Sequence, residues 1–132
     1  MRYLTLVILL VLAPLGWGED VYYCVEKASQ ALVFSHNSET VKELTLTKRR
    51  FTLKHIVEAN RIALAGEPFS RSGEAMRLVC NTCSFEKSET LVSAFYPLTH
   101  GTIFSMKDDQ FVYAQMIYGD VVNSGAGTCT KF

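Results

Sequence analysis

Four cysteines, Cys24, Cys80, Cys83 and Cys129, are the side chains of this sequence whose type and spacing could do covalent chemistry. Cys80-Asn81-Thr82-Cys83 has the Cys-x-x-Cys spacing of a redox pair, which works when one thiol has a lowered pKa, usually at a helix N-terminus. Here the pair follows the strand-like run Arg77-Leu78-Val79, and no aromatic-Cys-Gly-Pro-Cys context surrounds it. A structural disulfide at a turn is therefore favoured over a catalytic one. Ser84 stands where a c-type haem site would need its histidine. His36, His55 and His100 show no metal-site spacing to the cysteines, so neither a metal nor another cofactor is expected. An even cysteine count in a short exported chain implies two disulfides, with three possible pairings. Cys24–Cys129 with Cys80–Cys83 is favoured, because a meander that closes on itself brings first and last strands together. Cys24–Cys80 with Cys83–Cys129, and the crossed arrangement, are the alternatives.

Nothing else assembles into a catalytic machine. His36 and His100 sit in turn-like stretches, and His55 follows Lys54 in an alternating run, as a surface or sheet-face residue would. None has a sequence context that pairs it with a nucleophile. Ser124-Gly125-Ala126-Gly127-Thr128 resembles a phosphate cradle only superficially, since it lacks the P-loop lysine and a following helix. Lys48-Arg49-Arg50 is a basic cluster, but alternation points Lys48 and Arg50 one way and Arg49 the other. Its expected role is a charged edge that discourages edge-to-edge pairing, with recognition of an anionic partner the alternative.

The amino terminus bears on all of this. Residues 1–18, with Arg2, the apolar run Leu4 to Leu15 and the small-x-small site Gly16-Trp17-Gly18, read as a secretory signal peptide. Pro14 and Gly16 interrupt a run already shorter than the ~18 residues of a membrane span. Residues 19–132 would form one small domain, secreted or periplasmic, in an oxidising setting where disulfides persist. Cys24 is too far downstream for a lipobox, which leaves no stable membrane anchor after cleavage. No Asn-x-Ser/Thr sequon occurs, which favours the bacterial periplasm. Thirteen basic and thirteen acidic residues balance, so nonspecific nucleic-acid binding is not expected.

The elements that must position these residues have a period of two. Val21 to Val25, Leu44 to Thr47, Phe51 to Lys54, Arg61 to Leu64, Met76 to Cys80 and Thr90 to Tyr96 read as strands. The clearest hairpin joins Thr102–Met106 to Phe111–Ile117 through Lys107-Asp108-Asp109-Gln110. On it, Phe104 and Met106 share a face, as do Phe111 and Tyr113. Val112, Ala114 and Met116 take the opposite face, so this arm should sit centrally or pack on something. Turns are expected at His36-Asn37-Ser38, Ala65-Gly66-Glu67-Pro68, Pro97 and His100-Gly101. Gly119 to Gly127 reads as a loop before a closing strand Thr128–Phe132. Leu53, Ile56, Val57 and Leu64 also fit a helical stripe, making a short helix across His55 to Ala65 the alternative to strand there. The fold class is all-β, an antiparallel meander forming a small barrel or sandwich.

Two resemblances add to this reading. Val21-Tyr22-Tyr23-Cys24, Arg50 to Lys54 and Gly127-Thr128-Cys129 resemble small uncharacterised secreted proteins of proteobacteria, a likeness that implies no function. Tyr22-Tyr23-Cys24 with a distant Cys129 is also similar to periplasmic inhibitors of C-type lysozyme. That similarity implies a small β barrel and an inhibitory loop with a Ser-Gly pair. Ser72-Gly73 and Ser124-Gly125 are its matches, without the surrounding pattern, and the Cys80-x-x-Cys83 pair departs from it.

The expectation is thus a non-catalytic extracytoplasmic binding protein whose partner is a protein or a small apolar ligand. The alternatives are an inhibitor of a lysozyme-like hydrolase, a ligand carrier lined by Phe104, Phe111 and Tyr113, and a thiol-disulfide protein using Cys80 and Cys83.

Overall fold

In a computed structural model of the chain, residues 20–34, 41–70, 74–86, 89–96, 101–117 and 121–132 are described. The signal-peptide reading for 1–18, the turn at His36-Asn37-Ser38, Pro97, His100 and Ser72-Gly73 fall outside them. Nine strands follow in order: β1 (Val21–Phe34), β2 (Val41–Thr45), β3 (Arg50–Ile56), β4 (Arg61–Ala65), β5 (Met76–Phe85), β6 (Thr90–Phe95), β7 (Thr102–Lys107), β8 (Gln110–Ile117) and β9 (Val121–Lys131).

Neighbouring strands pair antiparallel in the order β1-β3-β4-β5-β6-β7-β8-β9, and β9 pairs back onto β1. The result is a closed eight-stranded barrel, with β2 as an extra strand. Closure removes the open edges that a sandwich would leave. Alternation decides the two faces: β7 buries Thr102, Phe104 and Met106 and exposes Ile103, Ser105 and Lys107. The Cys24–Cys129 disulfide joins directly opposed residues of β1 and β9, and so fastens the seam where the first and last strands meet.

β1 does two jobs along one edge. Its first half pairs with β3, from Val21↔Lys54 to Val25↔Arg50, and its second half with β2, from Gln30↔Thr45 to Phe34↔Val41. Between them the register against β9 shifts at Glu26/Ala28, a bulge centred on Lys27. The extra residue flips the alternation, so Tyr22, Cys24 and Glu26 are buried before it and Ser29 and Ala31 after it.

Across His55 to Ala65 the expected strand at Arg61 to Leu64 is present and the alternative helix is not: β3 and β4 form a hairpin through a single 3-10 turn, Val57–Ala59, and Asn60 at φ 50°. The apparent helical stripe arises because Leu53 and Leu64 are cross-strand partners on the buried face. Several other expectations are corrected. Gly119 to Gly127 is not a loop throughout, since β9 starts at Val121. Cys80–Cys83 bridges no turn. It lies inside β5, across a register shift between Cys80 and Thr82. That bulge puts both cysteines on the inner face, opposite Ala94 and Val92. The β7–β8 connection is shorter than expected, with only Asp108 and Asp109 between the strands.

A plug fills the barrel interior. After β4, Gly66 turns the chain at φ +114°, where a Cβ would meet the Arg50 carbonyl oxygen at 2.8 Å. The following residues carry Phe69 inward, where its ring lies 4.9 Å from Phe51 and 4.9 Å from Tyr113. Phe51 also meets Phe111 edge-on at 5.0 Å and Phe104 at 6.1 Å. Each such pair adds about 0.5–1.5 kcal/mol beyond the area it buries.

Candidate functional site

With the interior filled, the outer wall over β6 to β9 carries the features that could do work. Val112 and Met116 point outward from β8 and Ile103 from β7, with 56%, 49% and 61% of their surface exposed. An outward face of an antiparallel sheet is ordinarily polar. β8 sits centrally, between β7 and β9, as expected, and nothing among the described residues covers the outward side chains Val112 and Met116.

Val112 borders three depressions. One, of about 340 Å3, lies toward β6 and is bounded by Phe95, Ile103 and Ala114. A second, of about 450 Å3, is bounded by Lys27, Lys107, Gln110 and Thr128. A third, of about 570 Å3, is bounded by Lys27, Lys48, Gln30, Thr45 and Ser124. One side of Val112 is thus mostly apolar, with Asn81, Ser93 and Ser105 also on its border, and the other is cationic, with hydroxyls and amides.

Small residues create the relief. Ser105, Val112, Ala126 and Ala28 follow one another across β7, β8, β9 and β1, so Val112 stands above a low floor. The bulge in β1 lifts Lys27 beside that floor, and the 46–49 connector brings Lys48 to its far side. Lys27, Lys48 and Lys107 are exposed, and none of them ion-pairs with a described carboxylate. Among the described residues, no acidic one lines either cationic depression.

A buried polar network holds this wall from inside. Glu26 is fully buried, and its Oε2 accepts from the Arg49 backbone N–H at 2.9 Å and from Arg49 Nε at 3.2 Å. Tyr113 Oη donates to Glu26 Oε1 and accepts from Arg49 Nη2 at 2.9 Å. The Glu26 N–H in turn donates to the Arg49 carbonyl at 3.0 Å. Burial, reinforced by the hydrogen bond to Glu26, pushes the Tyr113 phenol well above its ordinary pKa, so it stays a neutral donor. The network ties the connector carrying Lys48 to the bulge carrying Lys27.

The sequence-derived candidates distribute as follows. Of the basic cluster, Arg49 turns to Glu26 while Lys48 and Arg50 are exposed, the split that alternation implied. The cluster is more than a charged edge, because Arg49 neutralises a buried carboxylate. His55 lies on the inner face of β3, half-buried, with its ring 4.4 Å from Phe85. Its Nδ1 has no protein hydrogen-bond partner, and burial lowers its pKa against the opposing pull of Asp20. All four cysteines are paired. Ser124 and Gly125 lie within β9, not in a loop. Phe104, Phe111 and Tyr113 face inward as expected, and pack against one another and Phe69. Among the described residues no group of three or more His, Cys, Asp or Glu could hold a metal ion.

Lys27 and Phe69 were not singled out from the sequence. A bulge leaves only a break in parity, visible afterwards as Glu26 and Ser29 both facing inward. Fold and site define a small closed β-barrel with a two-sided outer surface. Comparison of the sequence with known families and with curated proteins gives no match.

Proposed function

We propose that this protein is a non-catalytic, exported binding protein whose outer wall around Val112 receives a protein partner. One observation carries the reading: Ile103, Val112 and Met116 are exposed on adjacent strands. A protein–protein contact is one of the recognised reasons for such an exposed apolar patch. The five packed rings inside the barrel favour this surface over a ligand carried internally. The two disulfides suit a non-reducing compartment, and the signal-like residues 1–18 support export. No helix among the described residues is long and apolar enough to cross a membrane.

A photo-crosslinking residue placed at Ser105 tests this, with one at exposed Glu58 as control. The expected result is a discrete adduct from position 105 alone, abolished by Val112→Asp. No adduct, or identical adducts from both positions, contradicts the reading.

A further inference from the structure

We infer that the segment received by this wall is an acidic one: an extended peptide that sets an aliphatic side chain beside Val112 and carboxylates against Lys27, Lys48 and Lys107. The inference rests on the function proposed above and specifies its partner.

Charge complementarity is the first argument. The chain as a whole is balanced, yet the two depressions on one side of Val112 share Lys27, add Lys107 and Lys48, and are lined by no carboxylate among the described residues. Glu26, the acidic residue nearest in sequence to Lys27, is turned inward and already held by Arg49 and Tyr113. Three exposed ammonium groups line this floor, while Asp108 and Asp109 lie in the turn between Lys107 and Gln110 and outside its lining. The cationic lining steers and selects an anionic partner.

Dimensions give the second. Ser124 to Thr128 runs along β9 beneath the two cationic depressions, a span of roughly 13 Å at the rise of a strand. That length suits four or five extended residues. The adjacent depression of about 340 Å3, with Phe95, Ile103 and Ala114 on its border, is large enough for a leucine-sized anchor. Apolar anchors in such pockets dominate binding energy, while rim charges set specificity.

The same wall suits a peptide better than an acidic glycan. Sugar rings dock on exposed aromatic faces, and the only exposed large aromatic among the described residues is Phe132, beyond the end of β9. Hydroxyls and amides at Ser124, Thr128, Gln30 and Gln110 suit a peptide backbone lying across them.

The test titrates the full-length, disulfide-bonded exported chain with a capped hexapeptide alternating Glu and Leu, its Gln/Leu counterpart, and an oligogalacturonate, following backbone amide shifts. The Glu/Leu peptide is expected to shift Lys27, Lys107, Val112 and Thr128. Lys27→Glu with Lys107→Glu, or a rise to ~0.5 M salt, should weaken it about tenfold. Equal binding of the Gln/Leu peptide overturns the acidic preference while leaving the outer wall as a docking surface. Binding of the galacturonate alone overturns the inference in favour of a glycan. Shifts from neither peptide also overturn it, and the Ser105 crosslink then decides separately whether the wall binds protein at all.

Discussion

Gly125 lies directly opposite Tyr113 in the β8–β9 ladder, and the tyrosine ring occupies the place a side chain at 125 would take, 2.5 Å from an ideal Cβ. The next inward pair repeats the relationship, with Phe111 opposite Gly127. Here glycine is what lets two rings lie flat against the strand, and one of those rings reaches Glu26.

The two glycines should not tolerate substitution equally. At Gly125 the obstacle is a side chain, so Gly125→Ala should cost about 1–3 kcal/mol as overpacking displaces the ring. At Gly127 a Cβ would lie 2.0 Å from the Val25 carbonyl oxygen, which belongs to the backbone of β1. Gly127→Ala should therefore be the more destabilising, and urea unfolding of both variants checks the order.

The Glu26 network makes a similar statement about hydrogen bonding. Tyr113→Phe keeps the ring and removes the donor to Glu26 Oε1. The loss should be about 1–3 kcal/mol, the cost of an unsatisfied buried acceptor. Arg49→Met leaves the buried carboxylate without its cation and should cost more, about 3–5 kcal/mol, also measured by urea unfolding.

Two disulfides of very different span should contribute differently. Cys24 and Cys129 are 105 residues apart, and replacing both by serine should cost about 4–5 kcal/mol in the chain-entropy account. Cys80 and Cys83 are 3 apart, and the same replacement should cost about 2 kcal/mol. Thermal unfolding of the two double variants compares them directly.

His55 gives a pH dependence. Its folded-state pKa is depressed below the ordinary value of 6.5, chiefly by burial, so the unfolded chain binds the extra proton more readily. The stability associated with neutral His55 is full above pH 6.5 and falls as the pH drops toward the folded-state value. His55→Gln should flatten the stability–pH curve over that interval, as measured by unfolding at a series of pH values.

Much of the barrel was legible because period-two alternation reports burial directly. The inward Phe104, Met106, Phe111 and Tyr113, and the outward Val112 and Met116, followed from it. So did the Cys24–Cys129 seam, once a closing meander was assumed. The strand carrying Gly125 and Gly127 was illegible because glycine ordinarily weakens strands, and only the opposite rings explain it there. Phe69 was missed because a turn residue gives no periodic signal, and its burial depends on the space left between strands distant in sequence. Lys27 escaped for a related reason: a bulge is a property of pairing with β9, not of the local residues in β1. The site therefore became visible only when Lys27, Lys48 and Lys107, far apart in the chain, met around Val112.

The central claim is that the wall around Val112 is the working surface. The most direct measurement is binding of the Glu/Leu peptide to the Val112→Asp variant, alongside its unfolding curve. Val112 is 56% exposed, so stability should stay within about 0.5 kcal/mol while binding falls at least about tenfold. Unchanged peptide binding in a fully folded Val112→Asp variant would contradict the account.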